Sequence, residues 1–371
     1  ESNLATDALR QMRCDRFDDL VATNALVRPG PLDSGMHLVY IRRKRGEEAV
    51  RYALPELREI LEPTYGVIVY QEQVMRIANV LAGYSLAEAD VLRKAVGKKI
   101  AELIKAELER FVVRAVARGH KRKVIEELAA QIETFGRYGF NKSHSVAYSV
   151  LSYQTAWLKT RYPAEFMAAL LSSAIGDTKS VVAYIGECRE MSIKVLPPDV
   201  NESGYHFTVL SDRELRFGLG AIRGVGRGAI DAVIAARTGG GGPFTTLRDV
   251  AARVGHRVCN KRVLEALIAS GACDGLGAHR AQHFAAVDAV LAEASVAHAE
   301  HAAGQETLFG GDAAEAHPPA PLPAVPEWTE AERLAREKEM VGFFVSGHPL
   351  NRFAAEAAVL GQALHADHAD G

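Results

Sequence analysis

The stretch Gly139-Phe140-Asn141-Lys142-Ser143-His144-Ser145 gathers an amide, an ammonium, two hydroxyls and an imidazole behind one glycine. The residues that follow are spaced as a helix, so these groups stand at its N-terminus. Unpaired backbone N–H groups and the positive end of the dipole point to the same place, which suits an anion such as a phosphate. A local alternative stays open: Ser143 or Ser145 caps the helix and Lys142 is solvated. A second cationic group is Arg93, Lys94, Lys98 and Lys99. Leu92 and Val96, four apart, face a core, which turns Arg93 and Lys94 away from it, and Lys98 and Lys99 follow Gly97, where the helix is expected to stop. Bases there either meet an anion or offset the helix dipole. A third candidate is Gly224-Val225-Gly226, flanked by Arg223 and Arg227 ahead of a helix. Glycine lets backbone N–H groups approach a phosphate closely. A fourth is Gln305-Glu306-Thr307-Leu308-Phe309, where two large apolar side chains precede Gly310-Gly311 and a proline-rich segment with no local core to join. Exposed apolar residues in such an acidic tail suggest a docking peptide.

The elements that must position these groups are mostly helices. After the polar loop, Val146, Val150, Tyr153 and Trp157, and again Ala147, Leu151 and Leu158, make the helix apolar on more than one face, and burial is expected. Upstream, Leu4–Ala25 reads as one helix ended by a rigid, extended Arg28-Pro29-Gly30-Pro31 turn. Asp15, Asp18 and Asp19 on it have the spacing of a solvated face rather than a metal site. Tyr70, Val74, Ile77 and Leu81 form one stripe stopped near Gly83. Ser85-Leu86-Ala87-Glu88 is a capping box that opens the helix carrying Arg93. Two more helices, Ala101–Arg118 and Lys121–Phe135, are divided at Gly119. A helix from Thr178 to Met191 leads to Leu196-Pro197-Pro198-Asp199, where a domain boundary is placed. Beyond it, Tyr205–Leu210 and Glu214–Phe217 alternate as a short hairpin.

The chain has 371 residues, 48% hydrophobic and 24% charged, which is globular usage and suggests two or three domains. Cys14, Cys188, Cys259 and Cys273 show no metal-ligand spacing and fit a reducing cytoplasm. No apolar run near the central helix reaches the roughly 20 residues a membrane span needs. The first residue is Glu1, and an internal piece of a longer protein is expected. The net charge of −2 hides an asymmetry: Val91–Lys123 holds eleven Arg and Lys against three acids, while Val287–Met340 holds eleven acids against three bases. One region can hold a polyanion and another repels it.

GFNKSHSVAYSVLSYQTAWLKTRYPAEFMAA closely resembles the fingers domain of the alpha subunit of bacterial DNA polymerase III, the C-family replicative polymerases. Arg28-Pro29-Gly30-Pro31-Leu32, Glu62-Pro63-Thr64-Tyr65-Gly66, Tyr70–Met75, Leu196–Asn201 and Gly220–Gly226 extend the resemblance in family order. It implies a mainly α fold: a fingers domain over 1–200, then a tandem helix-hairpin-helix domain with a short β-hairpin over 201–290. The Gly224–Gly226 turn resembles its first hairpin and Cys259–Leu276 a second, less regular copy. An acidic, proline-rich tail over 291–330 would follow, then a lead-in, 331–371, to an absent nucleic-acid-binding barrel. The resemblance implies dNTP contacts at Arg93, Lys94, Lys98, Lys99, Asn141, Lys142, Ser143 and His144. It implies primer-template DNA contacts at Arg223, Gly224, Gly226 and Arg227. Gln305, Leu308 and Phe309 resemble the family's sliding-clamp motif, and other replicase subunits would be partners. The family's Mg2+-binding aspartates lie upstream of the matched region, so no catalytic residue is expected here and this piece alone should not extend a primer. The alternatives are the family's error-prone paralogue, which generally lacks a good clamp peptide, and a non-enzymatic DNA-binding module.

Overall fold

The computed structural model describes residues 3–98, 101–136, 139–255, 258–302, 321–347 and 349. The chain is mainly α, and compactness divides it into two units, Glu1–Ala156 and Trp157–Gly371. The sequence-based boundary near 200 is a family division and is taken up again as a proposal.

The first unit begins with α1 (Asn3–Met12), α2 (Phe17–Leu26), α3 (Pro29–Asp33), α4 (Met36–Lys44) and α5 (Arg58–Leu61). Three expectations fail here. The single Leu4–Ala25 helix is broken where Arg13 adopts a φ of 52°, and Arg28–Pro31 turns into α3 with proline at its first position. Asp19 is not solvated either. It is buried, ion-paired to Lys44 at 2.9 Å and within 3.4 Å of the Tyr40 hydroxyl. These helices close over Met12, Val21, Leu26, Tyr40 and Val69.

A larger core lies under α6 (Gln71–Ala82), α7 (Leu86–Lys98), α8 (Ala101–Ala117) and α9 (Arg122–Gly136). Val74, Ile77, Ala78 and Leu81 bury the α6 stripe against Leu92, Phe111, Ile125 and Ile132. Gly83, at a φ of 63°, ends α6, and the capping box forms as read: Ser85 N–H donates to Glu88 at 2.9 Å and Glu88 N–H returns to Ser85 Oγ. The Glu88 carboxyl, bonded by the Ser85 backbone and by Arg114, is held down to about 2. α7 runs on through Gly97 to Lys98, so that glycine does not stop it.

The chain then enters α10 (Lys142–Arg161), which reaches across the division between the units. Its expected burial is overturned. Tyr148, Leu151 and Tyr153 are more than half exposed, and Val150, Trp157 and Leu158 nearly so. The covered edge is Ser145 and Ser149 with Val146 half-buried beside them: Ser145 Oγ donates to the Val21 carbonyl at 2.5 Å, and Asn24 Nδ2 donates to Ser149 Oγ at 2.8 Å. Small residues allow close approach of α2, and this leaves the large side chains facing outward.

The second unit contains α11 (Pro163–Ser173), α12 (Thr178–Glu190), α13 (Arg227–Ala236), α14 (Leu247–Val254), α15 (Lys261–Ala269), α16 (Arg280–Ala302) and α17 (Glu330–Val341). The expected hairpin is present as β2 (Thr208–Ser211) and β3 (Glu214–Arg216), but β1 (Lys194–Leu196) adds a parallel strand, giving the order β1-β3-β2. One core joins Met167, Leu171, Ile185, Phe217, Ile230, Leu264 and Leu267. Leu322, Trp328, Phe343 and Val345 also pack on it, so the residues on either side of α17 are part of this unit. Among the described residues no helix is long and apolar enough to cross a membrane.

The tie between α17 and the rest is ionic and buried. Arg280 forks onto Asp274 with two 2.7 Å bonds and reaches Glu337 at 2.6 Å; Glu337 also accepts the N–H groups of Val345 and Ser346. Burial pushes the Glu337 carboxyl up, but the bonds from Ser346 and Arg280 outweigh it and hold it below the ordinary 4.5. Removing one partner of a buried pair typically costs about 3–5 kcal/mol, so Glu337→Ala should lower urea stability by that order at neutral pH. Because the folded value lies below the unfolded one, the contribution is complete above the ordinary value and is lost as pH falls through the folded one. The difference between variant and parent should therefore narrow in acid, and a pH-independent gap would count against the ion pair as its source.

Candidate nucleic-acid interface

The polar loop is held by the first turn of α6. Gln71 N–H donates to the Phe140 carbonyl at 3.0 Å and Phe140 N–H to the Val69 carbonyl at 3.2 Å, a short parallel bridge centred on Tyr70 and Phe140. Gln71 Nε2 donates to the Gly139 carbonyl at 3.0 Å, and Gln71 Oε1 accepts from Arg93 Nη1 at 3.0 Å. One glutamine thus joins the loop to α7. Arg93 and Lys94 share Asp90 at 2.8 and 2.7 Å, and these bonds, Lys94 first, hold the Asp90 carboxyl below its ordinary range.

Glu72 takes the anion position at the start of α10. Its carboxylate accepts from Asn141 Nδ2 at 3.0 Å and from Lys142 N–H at 3.0 and 3.2 Å. The cap is Asn141, whose Oδ1 accepts His144 N–H at 2.8 Å, and not Ser143 or Ser145. Lys142, Ser143 and His144 are exposed. The Lys142 ammonium lies 5.6 Å from the centre of the Tyr70 ring, and the His144 ring sits between Phe140, edge-to-face at 5.2 Å, and Tyr148, tilted at 4.7 Å. A triphosphate would therefore meet side chains here, with the first helical N–H already satisfied by Glu72. Lys98 closes α7 with its side chain outside the described residues, and Lys99 lies wholly outside them.

In the second unit, Gly224 has a φ of 85° and Gly226 precedes the first residue of α13. Ile222 and Val225 bury the apolar side of this turn. Arg223 is fastened to the end of α17, its N–H on the Met340 carbonyl at 2.8 Å and its guanidinium on Glu339 O at 3.3 Å. Arg227 pairs with Asp231 at 3.0 Å and lies 4.2 Å over the Tyr205 ring. Two surface grooves, of about 370 and 620 Å³, meet at Gly224, and both are lined by Arg262, which the sequence reading did not single out. Its Nε would lie 3.5 Å from a methyl placed on Gly224. The signal was local: Asn260 caps α15 and Lys261-Arg262 follow at once. In the second hairpin Gly271, at φ 88°, is backed by Arg280, whose Nη2 would lie 2.4 Å from an added Cβ.

The acidic cluster near the N-terminus has no free donor set for a metal. Asp15 and Asp19 pair with Lys44, and Asp18 with Arg16 at 3.2 Å. Among the described residues no group of three His, Cys, Asp or Glu is placed to hold an ion. Gln305, Leu308 and Phe309 lie outside the described residues. The capping assignment is checked by substitution. Asn141→Ala should cost about 1 kcal/mol in urea unfolding, as loss of an N-cap does, whereas Ser143→Ala should change stability by no more than a few tenths. The reverse ranking would return the cap to the serine.

A family described as the bacterial DNA polymerase III alpha subunit finger domain matches residues 1–119, and a helix-hairpin-helix motif matches residues 192–283. The DNA polymerase III subunit alpha of Vibrio cholerae is 45% identical over 363 residues, that of Pasteurella multocida 46% over 366, and that of Escherichia coli K12 44% over 363. Each alignment covers 96% of this chain and 31% of the relative, so the chain spans about a third of their length. Over nearly its whole length, then, this chain is similar to one stretch of the bacterial DNA polymerase III alpha subunits, with a match to their finger domain ahead of a match to a helix-hairpin-helix motif.

Proposed function

We propose that this chain supplies the fingers and clamp-binding region of a replicative DNA polymerase, the enzyme class that adds dNTPs to a primer 3' end. The sequence boundaries are kept in this reading: fingers over 1–200, tandem hairpins over 201–290, an acidic clamp-binding stretch over 291–330, and the lead-in to a further domain over 331–371. Arg93, Lys94, Lys98, Lys99, Asn141, Lys142, Ser143 and His144 would contact the incoming dNTP. The bond chain from Arg93 through Gln71 to Gly139 supports this, since it ties the two cationic segments into one surface. Mg2+ would be held by carboxylates of the polymerase outside this chain, where two ions would organise in-line phosphoryl transfer. The part argued for these residues is charge complementarity to the triphosphate, which acts in ground and transition states alike.

The observation that carries the DNA reading is Gly226. Its φ is not positive, and a Cβ added there meets nothing within 4 Å, so the fold does not require glycine at this position. A phosphate approaching the backbone N–H groups does require it. Gly226→Ala should cost no more than about 1 kcal/mol of stability, the preference of an N-cap for Gly over Ala, and should weaken duplex DNA binding by about tenfold, the order of one good phosphate contact at 1.4 kcal/mol, equally for all sequences. Unchanged affinity, or a loss confined to one sequence, would remove this assignment.

The segment Gln305–Phe309 is the proposed tether to the ring-shaped sliding clamp, with Leu308 and Phe309 as apolar anchors and Gln305 as the polar edge contact. Such anchors typically contribute on the order of 2 kcal/mol or more each. Replacing Leu308 and Phe309 by Ala should abolish clamp binding in a pull-down or calorimetric titration and leave DNA affinity intact. Retained clamp binding would move the tether elsewhere in the chain.

A further inference from the structure

The basic run from Val91 to Lys123 is not all used in the same way. Arg93 and Lys94 are spent on Asp90, and Arg110 and Arg114 on Glu88. Arg114 also donates to the Ala82 and Gly83 carbonyls at 3.1 and 2.7 Å, which pins the α6–α7 turn to α8. At the tip of the α8–α9 pair the pattern changes. Arg118-Gly119-His120-Lys121-Arg122-Lys123 turns tightly at Gly119, at φ 97°, and its four Arg and Lys side chains are exposed. Arg122 makes one exposed 3.4 Å pair with Glu126, the kind of contact worth little. Among the described residues neither Lys121 nor Lys123 forms an ion pair; Glu126 and Glu127, one turn further along α9, are the nearest acids in sequence.

Helix stability does not account for this cluster. The Lys121 carbonyl accepts the first N–H bonds of α9, and Arg122 and Lys123 lie in a first turn that itself holds no acid. A helix start is where the dipole disfavours cations, typically by about 0.3–1 kcal/mol each. The turn has no Phe, Tyr or Trp, and its one ring, the His120 imidazole, is half-buried, so it has more the chemistry of a backbone contact than of a base reader.

We propose that the α8–α9 turn, through Lys121, Arg122 and Lys123, is a second nucleic-acid contact that holds the phosphate backbone of a DNA strand independently of the Gly224–Gly226 hairpin. It rests on the reading that this chain works on DNA, and it assigns that work to a surface which neither the polar loop nor the hairpins include. Its strength should come from released counterions and so depend steeply on salt.

The test uses the 371-residue chain, a labelled duplex and a single strand of equal length, with binding followed by anisotropy across a salt series. The triple variant Lys121→Gln, Arg122→Gln, Lys123→Gln should keep or slightly raise the parent's melting temperature, because all three side chains are exposed and a helix start disfavours cations. The slope of log affinity against log salt should become shallower by roughly 2.7 on duplex or roughly 2.1 on single strand, three contacts at about 0.9 or 0.7 each. The probe that shows the change identifies the strand form held. Unchanged slopes on both probes overturn the proposal. Gly226→Ala run in parallel separates the two readings: if it loses duplex affinity while the triple variant keeps the parent's slopes on both probes, this contact fails alone. If the triple variant changes the slope while Gly226→Ala binds normally, the hairpin assignment fails and this one stands.

Discussion

Three consecutive polar residues at the start of α6 carry the first unit, and each is committed to a different neighbour. Gln73 is buried and fully satisfied: its Oε1 accepts the Val69 and Tyr70 N–H groups at 2.8 and 2.9 Å, and its Nε2 donates to the Ile60 carbonyl and to Thr64 Oγ1. Gln71 holds the Gly139–Phe140 backbone and Arg93, and Glu72 holds Asn141 and the first N–H of α10. An amide buried with donors and acceptors all paired costs little, while the loss of one partner exposes the whole desolvation penalty. The cationic surface therefore depends on side chains that carry no charge of the right sign themselves.

Those three residues also mark the limit of what the sequence made legible. Periodicity and capping found α6 to α9 almost to the residue, because a stripe such as Val74, Ile77, Leu81 and a Ser85–Glu88 box are local signals. The loop and the Gly224 turn were found from residue type. The partners were not, since Gln71 to Gly139 and Asn141 to Glu72 span separations that no local pattern encodes. The same cause explains the other differences. Asp19 reads as solvated until Lys44 is brought beside it, and β1 is too short to alternate visibly before it pairs with β3. α10 shows the opposite failure: its composition argues for burial, yet Ser145 and Ser149 decide which edge is covered.

The two hairpins, alike in topology, differ in chemistry. At Gly226 the space beside the backbone is open, and Arg262 stands near the turn. At Gly271 that space is taken by the Arg280 guanidinium, which is itself bound to Asp274 and Glu337. On the proposed reading the first receives a group from outside, while the second has its cation turned inward. A motif match over residues 192–283 covers both without distinguishing them.

α17 touches both hairpins, through Glu337 on Arg280 and through the Glu339 and Met340 carbonyls on Arg223. Its end is fixed as well, for Gly342 has a φ of 93° and an added Cβ would lie 2.1 Å from Thr178 Cγ2. On the proposed reading, one helix outside the matched hairpin motif is the brace behind the Gly224–Gly226 turn, whose seat is set before any duplex arrives, so association does not bear the entropy of setting it.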